Sequence, residues 1–389
     1  MSPQQSLKRP IYRAPTGLPD WEGEDGLEKL HEHLQTAVLI ELHTIPLYLF
    51  AAYSIKDSPL SIYKIISVVK QEMLHLGLSG NVLRAVGGTP RLYGETYTPI
   101  YPVGIFYEER VKMELKPATR SNVATFADLE APLEVPKFGV FRGILPEYHS
   151  IGEFYQALLA GLKIISDKYD AEGRVLFQPD SEGQQFHTAD GSWYDDAMIR
   201  ITDLKSAVDA LTLVIEQGEG STGVSVKDTI QTHYEVFSEL RDDEEKHPLD
   251  CYPVVENPET YKFENSDPKI HKVMLFSDAV YSYLLMTLEK LWRYDGIQRG
   301  RLVTNNVMNL MLAILKPVAL FLVTLPLESD PTKHAAAPYN RHDFRTGTST
   351  FAQLKELMNA AIAQYPGATE GPLRGVQQAV DNLIDIDTL

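Results

Sequence analysis

The chain has 389 residues, enough for one large domain or two ordinary ones, and 44% are hydrophobic, which excludes a disordered chain. A formal net charge of −17, from 53 acidic and 36 basic residues, repels nucleic acid and anionic membrane and excludes a polyanion-binding role. Cys251, the single cysteine, excludes an intrachain disulfide and a cysteine-ligated zinc or iron–sulfur site, and it fits a reducing, cytoplasmic setting.

Residues 1–25 are rich in Pro and Gly and are expected to form an extended surface segment; "MSPQQSLKRPIYRAPTG" lacks the apolar core of a signal peptide. A helix is expected from Asp25 or Gly26 to about Ser54, because Leu30, Leu34, Val38, Ile45, Tyr48 and Ala52 recur with a helical period. Pro46 inside it predicts a kink and a freed carbonyl at Leu42. "KDSPLS" is a stop and restart, with Ser58 as N-cap and Pro59 in the first helical position. The second helix runs over about 59–86 and ends at Gly87-Gly88 before Pro90. Residues 89–146 show little helical period and read as a long irregular insertion, with short strands such as "YPVGIFY".

A third helix begins at "HSIGEFYQALLAGLKII", followed by a polar excursion over 167–200. A fourth covers about 203–219 and breaks at "GEGSTG"; a fifth covers about 227–246 and stops at Pro248. Later helices are expected at 270–294, 303–325 and 350–364. The run "NLMLAILKPVALFLVTLP" (309–326) is apolar enough to consider as a membrane span, but Lys316 and Pro317 interrupt it and favour a kinked core helix. The expected organisation is mainly α: a helical bundle over 26–250 and a helical C-terminal extension over 251–389 packed on it.

The chemistry starts at "QEMLHLGLSG". Helices one and two form an antiparallel hairpin turning near Asp57 and Ser58. Glu41 lies about 16 to 17 residues before that turn and Glu72 about 14 to 15 after it, so at ~1.5 Å of rise per residue their heights differ by only about 3 Å. Glu41 continues the stripe Leu34, Val38, Ile45, Tyr48, and Glu72 and His75 continue the stripe Ile65, Val68, Val69. Both carboxylates therefore face the helix interface. A buried carboxylate without compensation costs several kcal/mol and takes up a proton; a cation removes that cost. One Glu on one helix with Glu-x-x-His on its neighbour is half of a dinuclear carboxylate site in a four-helix bundle, and the His–Glu mixture suits iron or manganese. The bland alternative is a hydrogen-bonded Glu–His pair in the core.

The second half-site has open alternatives. Glu153 shares a face with Ala157 and Ile164, yet Ser150–Glu153 also reads as a capping box. Glu153 at the start of helix three and Glu216 and Glu219 at the end of helix four share one height. Glu219 follows the stripe Val208, Leu211, Ile215, while Glu216 shares a face with Thr212 and Asp209. His233, in line with Ile230 and Phe237, stands in for the missing second Glu-x-x-His. Glu244–His247 lies in the charged run "RDDEEKHP" and reads as a solvated helix terminus; His31, His33, His43 and His187 read as structural or exposed. Four glutamates and two histidines balance two divalent irons in charge. Tyr48, Tyr53, Tyr155 and Tyr234, near these residues, read first as aromatic core and second as pocket lining.

The blocks "AVLIELHTIPLYLFAAYSI", "VVKQEMLHLGLSGNVLRAVGGTP", "IGEFYQALL", "IEQGEG" and "THYEVF" resemble the ferritin-like domain family that includes the C-terminal domain of the violacein-pathway iminophenyl-pyruvate dimer synthase. The resemblance implies a ferritin-like four-helix bundle with a carboxylate-bridged metal pair. It implies ligand roles for Glu41, Glu72, His75, Glu153, Glu216 or Glu219, and His233. The implied activity is that of a non-haem diiron oxidase or oxygenase acting with dioxygen on a small organic molecule, an amino-acid derivative or an aromatic amine or imine, in secondary metabolism. Two iron ions are the expected cofactor, a manganese–iron pair the alternative, and a homodimer fits the exposed helical surface. Iron handling through a ferroxidase step and a metal-free structural relative are the competing functions.

Overall fold

The computed structural model describes residues 19–104, 112–131, 151–190, 197–218 and 231–389. Four helices form the bundle: α1 (Gly26–Ser54), α2 (Pro59–Ala85), α4 (Ile151–Ala171) and α5 (Leu204–Gly218). α1 packs on α2, α2 on α5, α5 on α4 and α4 on α1, which closes the ring. A short helix, α3 (Arg120–Leu129), pairs with α6 (His233–Asp242), and α6 lies against α2 and α5. Between α2 and α3 the described residues of the insertion carry an antiparallel pair, β1 (Val103–Gly104) with β2 (Lys112–Met113).

α1 is buried almost all round, from Leu30 to Ala52, which accounts for its apolar run. It is long and apolar enough to cross a membrane, yet 83% of that stretch is buried inside the fold. It continues through Pro46 as one helix. Donors from outside the helix ladder serve the carbonyls around the proline: Thr44 Oγ1 donates to the carbonyl of Glu41 at 2.8 Å, and Tyr101 Oη donates to that of His43 at 2.6 Å. α2 starts at Pro59 as the sequence predicts. Ser58 is its N-cap but makes no side-chain cap, its hydroxyl pairing with that of Ser61 at 2.6 Å instead.

Beyond the bundle come α7 (Phe263–Ser266), α8 (Pro268–Leu291), α9 (Gly296–Arg301), α10 (Lys316–Leu322), α11 (Thr350–Ile362) and α12 (Val376–Asp381). α8 packs on α10 and α11, and α10 touches α1. Gly80 of α2 meets Trp292 so closely that a Cβ there would lie 2.2 Å from the indole, and Trp292 Nε1 donates to Asn81 at 3.3 Å. Glu289 of α8 accepts from the backbone N–H groups of Leu92 and Tyr93, pinning the insertion where it leaves α2. Upstream of Pro317, where a kinked core helix is expected, the chain winds as π-helix over Leu302–Val307 and Asn309–Leu315 before α10 begins at Lys316. A proline lacks the N–H and crowds the carbonyl four residues back, here that of Ala313, within the second of these segments.

Candidate metal centre

Five buried side chains from four elements meet inside the bundle: Glu41 of α1, Glu72 and His75 of α2, Glu130 just past the end of α3, and His233 at the start of α6. None is more than 4% exposed. Local chemistry sets each one. The i, i+3 spacing puts Glu72 and His75 on one face of α2. Thr119 caps α3 by accepting from Asn122, and Val123, Phe126 and Ala127 bury one face of it, which carries Glu130 inward. Thr232 and Glu235 form a capping box that makes His233 the first residue of α6. The helix N-terminus is thereby aimed at carboxylates, an arrangement the helix dipole favours.

Glu72 sits between two similar halves. On one side His75 Nδ1 lies 3.4 Å from Glu41 and 3.9 Å from Glu72 Oε2. On the other, His233 Nδ1 lies 2.9 Å from Glu72 Oε1 and 3.6 Å from Glu130. The two imidazoles stack with centroids 5.3 Å apart. A tyrosine holds the far oxygen of each outer carboxylate: Tyr155 donates to Glu41 Oε1 at 2.5 Å, and Tyr48 donates to Glu130 Oε1. Gln217 of α5 touches the outer nitrogen of His75, Nε2, at 2.9 Å. The cavity between them, about 20 Å³, is the size of a single water-sized body and is walled by Ile40, Ile151, Val214 and Ile215.

The electrostatics are those of a crowded anion cluster. Burial pushes the Glu72 carboxyl well above the usual carboxylate range, and the charges of Glu41 and Glu130 push it further. Burial works in the same direction on Glu41, but His75, Glu72 and Tyr155 outweigh it and hold that carboxyl below its ordinary value. Of the two, Glu72 is the carboxyl that its surroundings make harder to ionise. Burial raises the phenols of Tyr48 and Tyr155 well above theirs, with the neighbouring carboxylates adding to it, so both remain donors.

One atom pair tests whether these residues fit a cation. His233 is 1% exposed, and neither ring nitrogen has a hydrogen-bond partner among the described residues. Its Nδ1 is close to two carboxylates without the direction of a hydrogen bond to either. An unsatisfied buried donor or acceptor costs about 1–3 kcal/mol. Donor atoms of Glu72, His75 and His233 all lie within 4.8 Å of one another, and a cation shared among them would use the nitrogen that hydrogen bonding leaves idle. The donor set fits a divalent transition metal.

Glu41, Glu72, His75 and His233 are thus brought to one cavity. Glu153 and Glu216 are not: both are half-buried and lie outside the cavity lining, while Glu219, like Ile230 and the Ser150 cap, lies outside the described residues. The shared height of α4's start and α5's end is as expected, since Ile151, Tyr155, Val214, Ile215 and Gly218 all line the cavity. The face of α4 differs: Tyr155, two residues beyond Glu153 and so on nearly the opposite side of the helix, is the one that turns inward. Glu130 is the residue the sequence pattern missed. Thr119 as a cap followed by Val123, Phe126, Ala127 and Glu130 is a helical period inside a stretch otherwise rich in turns. His247 also departs from expectation. It is fully buried, with Nε2 3.0 Å from Glu239, although Glu244 is exposed and α6 has already ended at Asp242. His33 is buried and stacks on Phe154, while His31, His43 and His187 are half-buried.

A ferritin-like family model matches residues 34–242, more than half of the chain and all five residues of the centre. The chain belongs to the ferritin-like family. Dichlorochromopyrrolate synthase of Lentzea aerocolonigenes is a distant homologue of this ferritin-like chain, 25% identical over 299 residues. That stretch is 67% of this chain but 28% of the synthase, so the chain spans less than a third of its relative's length. A ferritin-like protein from Caulobacter vibrioides, solved at 1.95 Å, superposes with a TM-score of 0.55 at 22% identity, over 81% of this chain and 98% of that one. That likeness shows the fold. The resemblance of the sequence blocks to the ferritin-like domain family is borne out by the family match.

Proposed function

We propose that this ferritin-like protein is a dinuclear non-haem iron oxidase or oxygenase that uses dioxygen on a small organic substrate in secondary metabolism. The observation that carries the proposal is the buried pair of carboxylate–imidazole halves around Glu72, with His233 left without a hydrogen-bond partner among the described residues. Glu41 and His75 would hold one metal and Glu130 and His233 the other, with Glu72 between them. Bound iron would supply the redox chemistry with dioxygen. The chain's own part is different. Tyr155 and Tyr48 keep Glu41 and Glu130 oriented, and Ile40, Ile151, Val214 and Ile215 give the cavity an apolar side. Glu72 holds a proton in the metal-free protein and gives it up when a cation arrives. The distant synthase supports a substrate of the secondary-metabolite kind, an amino-acid derivative or an aromatic amine or imine.

Anaerobic titration with ferrous ion, followed by measurement of dioxygen uptake, tests the proposal. The wild-type protein should bind about two equivalents, as a dinuclear bundle site does, and then consume dioxygen; Glu72→Ala should do neither. Uptake of many equivalents would point to iron storage, and no binding at all would contradict the proposal.

A further inference from the structure

The two histidines of the centre are held differently. His75 presents Nδ1 to Glu41 and Glu72 and turns Nε2 outward to Oε1 of Gln217, 2.9 Å away. With its carboxamide oxygen placed toward the ring, Gln217 accepts, and Nε2 is then the nitrogen of His75 that donates. A neutral imidazole has one N–H, and placing it on Nε2 leaves the Nδ1 lone pair pointing into the cavity. At 3.4 and 3.9 Å from the carboxylates, Nδ1 lies beyond the ordinary hydrogen-bond range to either. Gln217 is the second-last residue of α5, whose last turn lines the cavity through Val214, Ile215 and Gly218. It reaches His75 from the neighbouring helix, across the α2–α5 interface.

We propose that Gln217 is a positioning residue that selects Nδ1 as the atom by which His75 meets a metal. The inference rests on the metal-centre proposal above and adds to it the group that fixes the tautomer and the ring orientation. An outer partner of this kind typically contributes 10–100-fold to metal affinity.

Two measurements separate this inference from the proposal beneath it. The first uses nitrogen-15 NMR of the imidazole side chains in metal-free protein, with His75 assigned by comparison with His75→Gln. The wild type should carry the His75 proton on Nε2, and Gln217→Leu should give a mixture of tautomers. The second is Mn²⁺ or anaerobic Fe²⁺ titration. Gln217→Leu should bind about 10–100-fold more weakly than wild type, and Gln217→Glu, which keeps an acceptor oxygen, should recover most of the loss. A His75 proton on Nδ1 in the wild type overturns the inference. So does a Gln217→Leu variant that binds metal as tightly as wild type. A wild type that binds neither ion instead overturns the metal centre itself, and the assignment of Gln217 with it.

Discussion

Replacing Glu72 by Gln should make the metal-free protein more stable and the metal-loaded protein less so. In the fold, burial and then the charges of Glu41 and Glu130 raise the Glu72 carboxyl far above its ordinary value of 4.5. A raised carboxyl keeps in the folded state a proton that the unfolded chain releases above about pH 4.5. The folded state is therefore penalised progressively as pH rises from there toward the folded pKa. Glutamine has the same shape and cannot ionise. With three carboxylates and two imidazoles packed together and at most 4% exposed, the relief at neutral to mildly alkaline pH should be about 1–3 kcal/mol, the range for an incompletely compensated buried polar group. Below about pH 4.5 the difference should vanish. Metal reverses the order. A site at a hundredfold excess of metal over its Kd gains about 2.7 kcal/mol, and the wild type should show that gain while Glu72→Gln does not. The assay is urea unfolding followed by circular dichroism, with chelator and with anaerobic ferrous ion, across a pH series. A Glu72→Gln variant that is less stable than wild type in chelator at pH near 8, or that metal stabilises as much as wild type, refutes the reasoning.

Tyr155→Phe removes the hydroxyl that donates to Glu41 and lies 3.4 Å from Ser79, and should cost about 1.5–3 kcal/mol in urea unfolding, as a hydrogen bond to a charged acceptor does. Asp190→Ala strips the carboxylate from Arg299, whose Nη1 contacts both Asp190 oxygens at 2.6 Å while the side chain is almost fully buried; a loss of about 3–5 kcal/mol is expected from thermal or urea denaturation.

The convergence of Glu41, Glu72 and His75 could be read from residues alone because a helical hairpin obeys simple arithmetic. Rise per residue fixed the heights of Glu41 and Glu72, and the apolar stripes fixed their faces. The same reasoning located the ends of α4 and α5 correctly in height. It failed on the face of α4, because Ala157 and Ile164 share a stripe with Glu153 but are only partly buried, whereas Phe154, Tyr155, Leu158, Leu162 and Ile165 form the face that packs inward. Aromatic bulk there outweighed the aliphatic pattern. Glu130 was hidden for another reason. Its helix has ten residues, too short for periodicity to stand out among the prolines and glycines around it, and its position in the centre depends on α6 packing against α3, a contact between residues more than a hundred apart. The capping residues at both ends of that pairing, Thr119 and Thr232, were visible signals, but a cap marks where a helix begins and not which neighbour it finds.

The central claim is that two cations share the space around Glu72. Anomalous diffraction at the iron edge, from crystals grown anaerobically with ferrous ion, tests it most directly. Two peaks are predicted, one bounded by Glu41, Glu72 and His75 and the other by Glu72, Glu130 and His233. A cavity with no peak, or metal found only at the acidic surface, would contradict it.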